Sequence, residues 1–103
     1  MCLLFQNFVI ASVTKILVGG NKLGDEGTIT LCDALRESTV SKVQELALAI
    51  NQIGPDGAKA IDALCAVTGS MTHLDVSGNI LGEEGKAALR RAIQGRSGFE
   101  LVL

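Results

Sequence analysis

His73, Asp75 and Ser77 occupy alternate positions of one short segment, and they are the residue types of a hydrolytic triad. Such a triad needs hydrogen-bond contact from nucleophile to base, about 2.6–3.2 Å. In an extended segment, alternate side chains stand about 6.6–6.8 Å apart and point in parallel. The spacing argues against catalysis, and His73 reads as a solvated surface residue. Gly19-Gly20-Asn21-Lys22-Leu23-Gly24 is rich enough in glycine to suggest a phosphate loop. It lacks the G-K-[ST] ending, and Asp25-Glu26 would repel phosphate where that lysine belongs. Asp25-Glu26 and Glu83-Glu84 are also metal-ligand types, yet acids at a helix start are explained by the helix dipole. Cys2, Cys32 and Cys65 are odd in number, show no C-x-x-C spacing and share the chain with a single histidine, so they make no ordinary zinc site. They read as small buried apolar residues in a reducing compartment. The expectation is no enzyme activity, no metal and no cofactor.

Three asparagines point elsewhere. Asn21, Asn51 and Asn79 lie in the frames Ile16-x-Val18-x-x-Asn21-x-Leu23-Gly24, Leu46-x-Leu48-x-x-Asn51-x-Ile53-Gly54 and Leu74-x-Val76-x-x-Asn79-x-Leu81-Gly82. Each frame is closed by a further glycine, Gly27, Gly57 or Gly85. The asparagines fall 30 and then 28 residues apart, a period that marks a stack of like units. In the middle unit, Leu46 and Leu48 at period two read as a short strand. Asn51 follows at the turn, where its amide can both donate to and accept from backbone groups leaving the ladder. Gly54-Pro55-Asp56-Gly57 opens a helix, and Ala58, Ile61, Leu64 and Cys65 recur at helical spacing to pack back on the strand. Side by side, such units give a parallel sheet with helices behind it. Strands are spaced about 4.8 Å apart and packed helices about 8–10 Å, so the stack curves with its strands inside.

Composition fits thin layers of this kind. The chain has 103 residues, 48% of them hydrophobic but only 3% aromatic, so its core is aliphatic. A formal net charge of −2 with both signs scattered gives no reason to expect nucleic acid or an anionic membrane as partner. No apolar run approaches the length of a membrane span, and no basic residue precedes the apolar stretch Met1 to Ile10 as a secretory signal would require. A cytoplasmic protein is expected.

The three frames resemble the leucine-rich repeat family in its ribonuclease-inhibitor-like class, whose pattern L-x-x-L-x-L-x-x-N-x-L-G-x-x-G-A-x-x-L is matched closely by Val43 to Ile61. The first repeat departs from it at Gly19-Gly20 and Thr28, the third at Lys86. The resemblance implies an α/β solenoid, a horseshoe with a concave parallel sheet and convex helices, that binds a protein through the concave face or its rim. Members also include Ran GTPase activators and nucleotide-binding innate-immune receptors, so a regulatory or sensor part of a larger protein is the alternative.

The division expected is one domain over residues 1–103, with full repeats at 13–42, 43–70 and 71–98. Residues 1–12 would be the end of an upstream repeat's helix, and 99–103 a terminal strand, with Phe99 and Val102 overlaying Met71 and Leu74. Leu3, Leu4 and Phe8 would then be bare, to be covered by further repeats of a longer array or by self-association. With Leu46 and Leu48 facing inward, the alternating neighbours give the concave rows Lys15–Glu45–His73, Leu17–Ala47–Asp75 and Gly19–Ala49–Ser77. Lys15, Leu17, Glu45, His73 and Asp75 are the expected partner-binding residues, and Asn21, Asn51 and Asn79 are structural. Against binding stands plain cross-strand pairing, worth about 0.2–1 kcal/mol.

Overall fold

A computed structural model describes residues 15–37 and 43–103. The upstream helix at 1–12, the bare residues Leu3, Leu4 and Phe8, and the junction at 38–42 lie outside the described residues. The elements run β1 (Lys15–Leu17), α1 (Gly24–Glu37), β2 (Glu45–Ala47), α2 (Pro55–Val67), β3 (His73–Asp75), α3 (Gly82–Ala92) and β4 (Glu100–Val102). The four strands form one sheet in the order β1-β2-β3-β4, and every pair is parallel.

Strands β1, β2 and β3 are short because an asparagine turn follows each, but the ladder does not stop at the strand ends. Val18 N–H donates to Ala47 O at 3.0 Å and Leu48 N–H to Asp75 O at 2.7 Å. Gly20 N–H then donates to Ala49 O and Ile50 N–H to Ser77 O. Adjacent turns are thus stacked in register like the strands that feed them.

The core lies between sheet and helices. Leu46, Leu48, Leu74 and Val76 come from the sheet side; Ile61, Leu64, Cys65 and Leu89 come from the helices, and all are fully buried. Ile53 and Leu81, just after the asparagines, close the top of each layer. Helix α2 packs against both α1 and α3. The second glycine of the middle frame is closely enclosed, by its own unit and by the one before it. A Cβ on Gly57 would stand 2.5 Å from Ile53 Cγ2 and 2.7 Å from Asp25 Oδ1, so no larger residue fits without displacing them.

The terminal strand differs from expectation by one residue. Leu101, not Val102, pairs with Leu74, and Glu100 pairs with His73. The cause is the length of the third unit. Helix α3 has 11 residues against 13 in α2, and the return to the sheet passes through Gly95 and Gly98, both in left-handed backbone. The shorter path shifts β4 back, so Phe99, Leu101 and Leu103 pack on the core and Glu100 and Val102 alternate with them.

Candidate protein-binding face

The residues outward of the sheet line up as the alternation requires. Ile16, Leu46 and Leu74 point to the core, while their neighbours form two rows across the strands. The first row runs Lys15, Glu45, His73, Glu100, and the second Leu17, Ala47, Asp75, Val102. A third, from the turns, is Gly19, Ala49, Ser77.

The first row is made of two pairs. Lys15 Nζ lies 3.8 Å from Glu45 Oε1, and His73 Nδ1 lies 3.2 Å from Glu100 Oε1. All four side chains keep some exposure, and an exposed ion pair such as Lys15–Glu45 contributes about 0–1 kcal/mol. In the second row, Leu17 is 64% exposed, an aliphatic side chain offered to solvent beside Lys15. Asp75 Oδ1 accepts two hydrogen bonds from Ser77, from the backbone N–H at 3.0 Å and from Oγ at 2.8 Å. These bonds tilt the carboxylate along the strand toward the turn.

This geometry takes His73 away from the other two residues that resembled a triad, while the turn at Ser77 brings Ser77 and Asp75 into a contact that a straight extended segment would not allow. Ser77 Oγ is bonded to Asp75, and His73 to Glu100 on the next strand. Among the described residues no cluster of His, Cys, Asp and Glu could hold a metal ion. Cys32 and Cys65 are buried, and burial pushes their thiols up to about 12 and about 11, where they are neutral and poor nucleophiles. The structure brings all five expected binding residues onto one face. It adds Glu100 and Val102, which the overlay misplaced by one residue. The alternation of Phe99, Leu101 and Leu103 with Glu100 and Val102 was the signal that could have found them.

Behind the face, the asparagines form a ladder between units. Asn51 Oδ1 accepts the backbone N–H of Asn21 at 2.9 Å and of Leu23 at 3.2 Å, both in the preceding unit. Asn79 Oδ1 does the same for Asn51 at 2.8 Å and Ile53 at 3.0 Å. Each amide nitrogen donates back to strand-end carbonyls, Asn51 Nδ2 to Val18 and Ala49, Asn79 Nδ2 to Leu48, Val76 and Ser77. The oxygens of Asn51 and Asn79 therefore serve the preceding unit, which fixes the spacing of the turns that border the face.

The leucine rich repeat pattern matches residues 41–61 and 70–89, which span the second and third asparagine frames. The chain belongs to the leucine-rich repeat family. It is 35% identical over 83 residues to human "NACHT, LRR and PYD domains-containing protein 5", covering 81% of this chain and 7% of that protein. Human "NACHT, LRR and PYD domains-containing protein 3" is 31% identical over 74 residues, 72% of this chain and 7% of that protein. This leucine-rich repeat chain thus spans less than a tenth of the curated relatives it matches. The fold is also that of the solved structure titled "Leiomodin-1 Actin-Binding Site 2 (ABS2)", with a TM-score of 0.80 at 24% identity, covering 97% of this chain and 57% of that one.

Proposed function

We propose that the chain is a non-enzymatic protein-binding scaffold that works through its concave face. One observation carries this reading: three in-register strands hold Lys15, Leu17, Glu45, His73 and Asp75 on one preformed, solvent-facing surface that mixes charge with exposed aliphatic area. A surface already held in place loses little conformational freedom on binding. Lys15, Leu17, Glu45, His73 and Asp75 are the proposed contacts, with Glu100 added by the register. The repeat division at 13–42, 43–70 and 71–98 and the ribonuclease-inhibitor-like class go with this proposal; the period near 30 and the full α-helix in each described unit support the class. We place the chain in the cytoplasm. No helix among the described residues is long and apolar enough to cross a membrane.

The test is capture of a partner from the native source by chemical cross-linking. The triple variant Glu45→Ala, His73→Ala, Asp75→Ala is expected to fold and to lose that partner. Unchanged capture would overturn the concave-face assignment.

The matches to proteins named for NACHT and PYD domains favour a second reading, in which these repeats are the sensing part of a larger nucleotide-binding receptor. Sequencing the native transcript on both sides of the repeats and assaying nucleotide hydrolysis by the encoded protein tests it. Hydrolysis that stays the same when the repeats are deleted would count against a sensing role.

A further inference from the structure

The strand-to-helix turns carry a feature that packing does not explain. Ile50 is β-branched yet sits at φ 56, where the equivalent positions of the neighbouring units hold Gly20 at φ 75 and Gly78 at φ 70. A β-branched residue in this region is strained. Burial does not compensate, because Ile50 is 66% exposed. It leans over Gly78, where a Cβ would meet its Cγ1 at 2.8 Å. Two residues on from Gly78, Ile80 is 70% exposed. The equivalent Gln52 is also exposed with a unit on each side, so exposure here belongs to the position in the turn.

Ile50 and Ile80 thus form an aliphatic rim on adjacent turns. It continues directly from the acidic end of the concave face. Asp75, three residues before Gly78, is tilted toward this rim by its bonds to Ser77. Glu100 adds acidity on the adjoining strand, one row further from the rim and paired with His73. The cations Lys15 and Lys22 lie at the opposite, β1 end, and Lys15 faces Glu45. Charge therefore runs from positive at β1 to negative at β3 and β4.

We infer that this rim is a docking site for an extended protein segment that carries an aliphatic side chain about three residues from an arginine or lysine. The aliphatic group covers Ile50 and Ile80, and the cation meets Asp75. The spacing of about three residues follows the step from Asp75 to Gly78, over which Ile50 leans. This rests on the protein-binding reading and adds the chemistry of the partner to it.

The probe is a capped peptide of glycine with one leucine and one arginine three residues apart, titrated into the isotope-labelled full chain and followed by amide NMR. The control replaces the arginine with glutamate. Shifts at Ile50, Asp75, Ser77 and Ile80 are expected, with the glutamate peptide about two- to fivefold weaker, the range an exposed charge pair supplies. Ile50→Gly places at this position the residue that both neighbouring units use. It is expected to fold with unchanged melting temperature or better and to lose the shifts. Equal affinity for the two peptides, unchanged binding by Ile50→Gly, or no shift with either peptide would each overturn the inference. Equal shifts confined to Lys15, Glu45 and His73 would overturn it while leaving the concave-face reading intact, since that reading stands or falls on the triple variant.

Discussion

Asn51 shows how much one amide can carry when it is buried between like units. Its oxygen takes two backbone N–H groups of the unit before it, and its nitrogen serves the carbonyls of Val18 and Ala49. Replacing it with alanine leaves the N–H groups of Asn21 and Leu23 without their acceptor, while the Val18 and Ala49 carbonyls keep Asn21 Nδ2 and the Gly20 N–H. The expected loss is about 1–3 kcal/mol, read from urea unfolding of Asn51→Ala. Asn21, whose side chain is exposed, should cost less on the same change, because water can replace what is lost. Equal losses at the two positions would mean that burial does not set the cost. The frame of the repeat marked both residues from sequence, but only the structure shows that the oxygen points to the neighbouring unit.

Helix α2 is held at its two ends by opposite charges from the units on either side. No side chain of its own caps its start at Gly54. Instead Asp25, from the first turn of α1, accepts the N–H of Gly54 at 2.6 Å and of Gly57 at 3.0 Å. At the other end, the Arg96 guanidinium donates to the carbonyls of Cys65 and Thr68 and lies over the Phe99 ring. Both placements match the sign of the helix dipole. The sequence assigned Asp25 to its own helix; the structure gives its oxygen to the next one. Asp25→Ala is expected to cost about 0.5–2 kcal/mol. Arg96→Ala should also destabilise, and Arg96→Lys should recover only part, since lysine lacks the fork that reaches two carbonyls. Full recovery by lysine in thermal melts would show that charge alone matters at this end.

For the whole molecule, the stacked aliphatic core makes stability depend on alkaline pH through two thiols. Burial pushes Cys32 from the ordinary 9.0 up to about 12 and Cys65 up to about 11. Below the unfolded value both are protonated in either state and contribute no slope. Above it, the unfolded chain releases protons that the folded chain keeps, so stability falls as pH rises, by up to about 1.4 kcal/mol per unit for each thiol. The double variant Cys32→Ala, Cys65→Ala should show a flatter profile of stability between pH 9 and about 11. The same slope in both proteins would assign the effect to other groups.

The strand, turn and helix order, the direction of Leu46 and Leu48, and the rows Lys15–Glu45–His73 and Leu17–Ala47–Asp75 were legible in the chain. All of these follow from local period and from the identity of three successive frames, and a parallel register carries them across the sheet. The pairing of His73 with Glu100, the tilt of Asp75 toward the rim and the strained exposure of Ile50 were not legible. These depend on how far the short helix α3 lets the chain travel before it rejoins the sheet, and on which atoms meet when one unit lies against the next. Period is a property of the sequence, but contact between units is decided only when they are stacked.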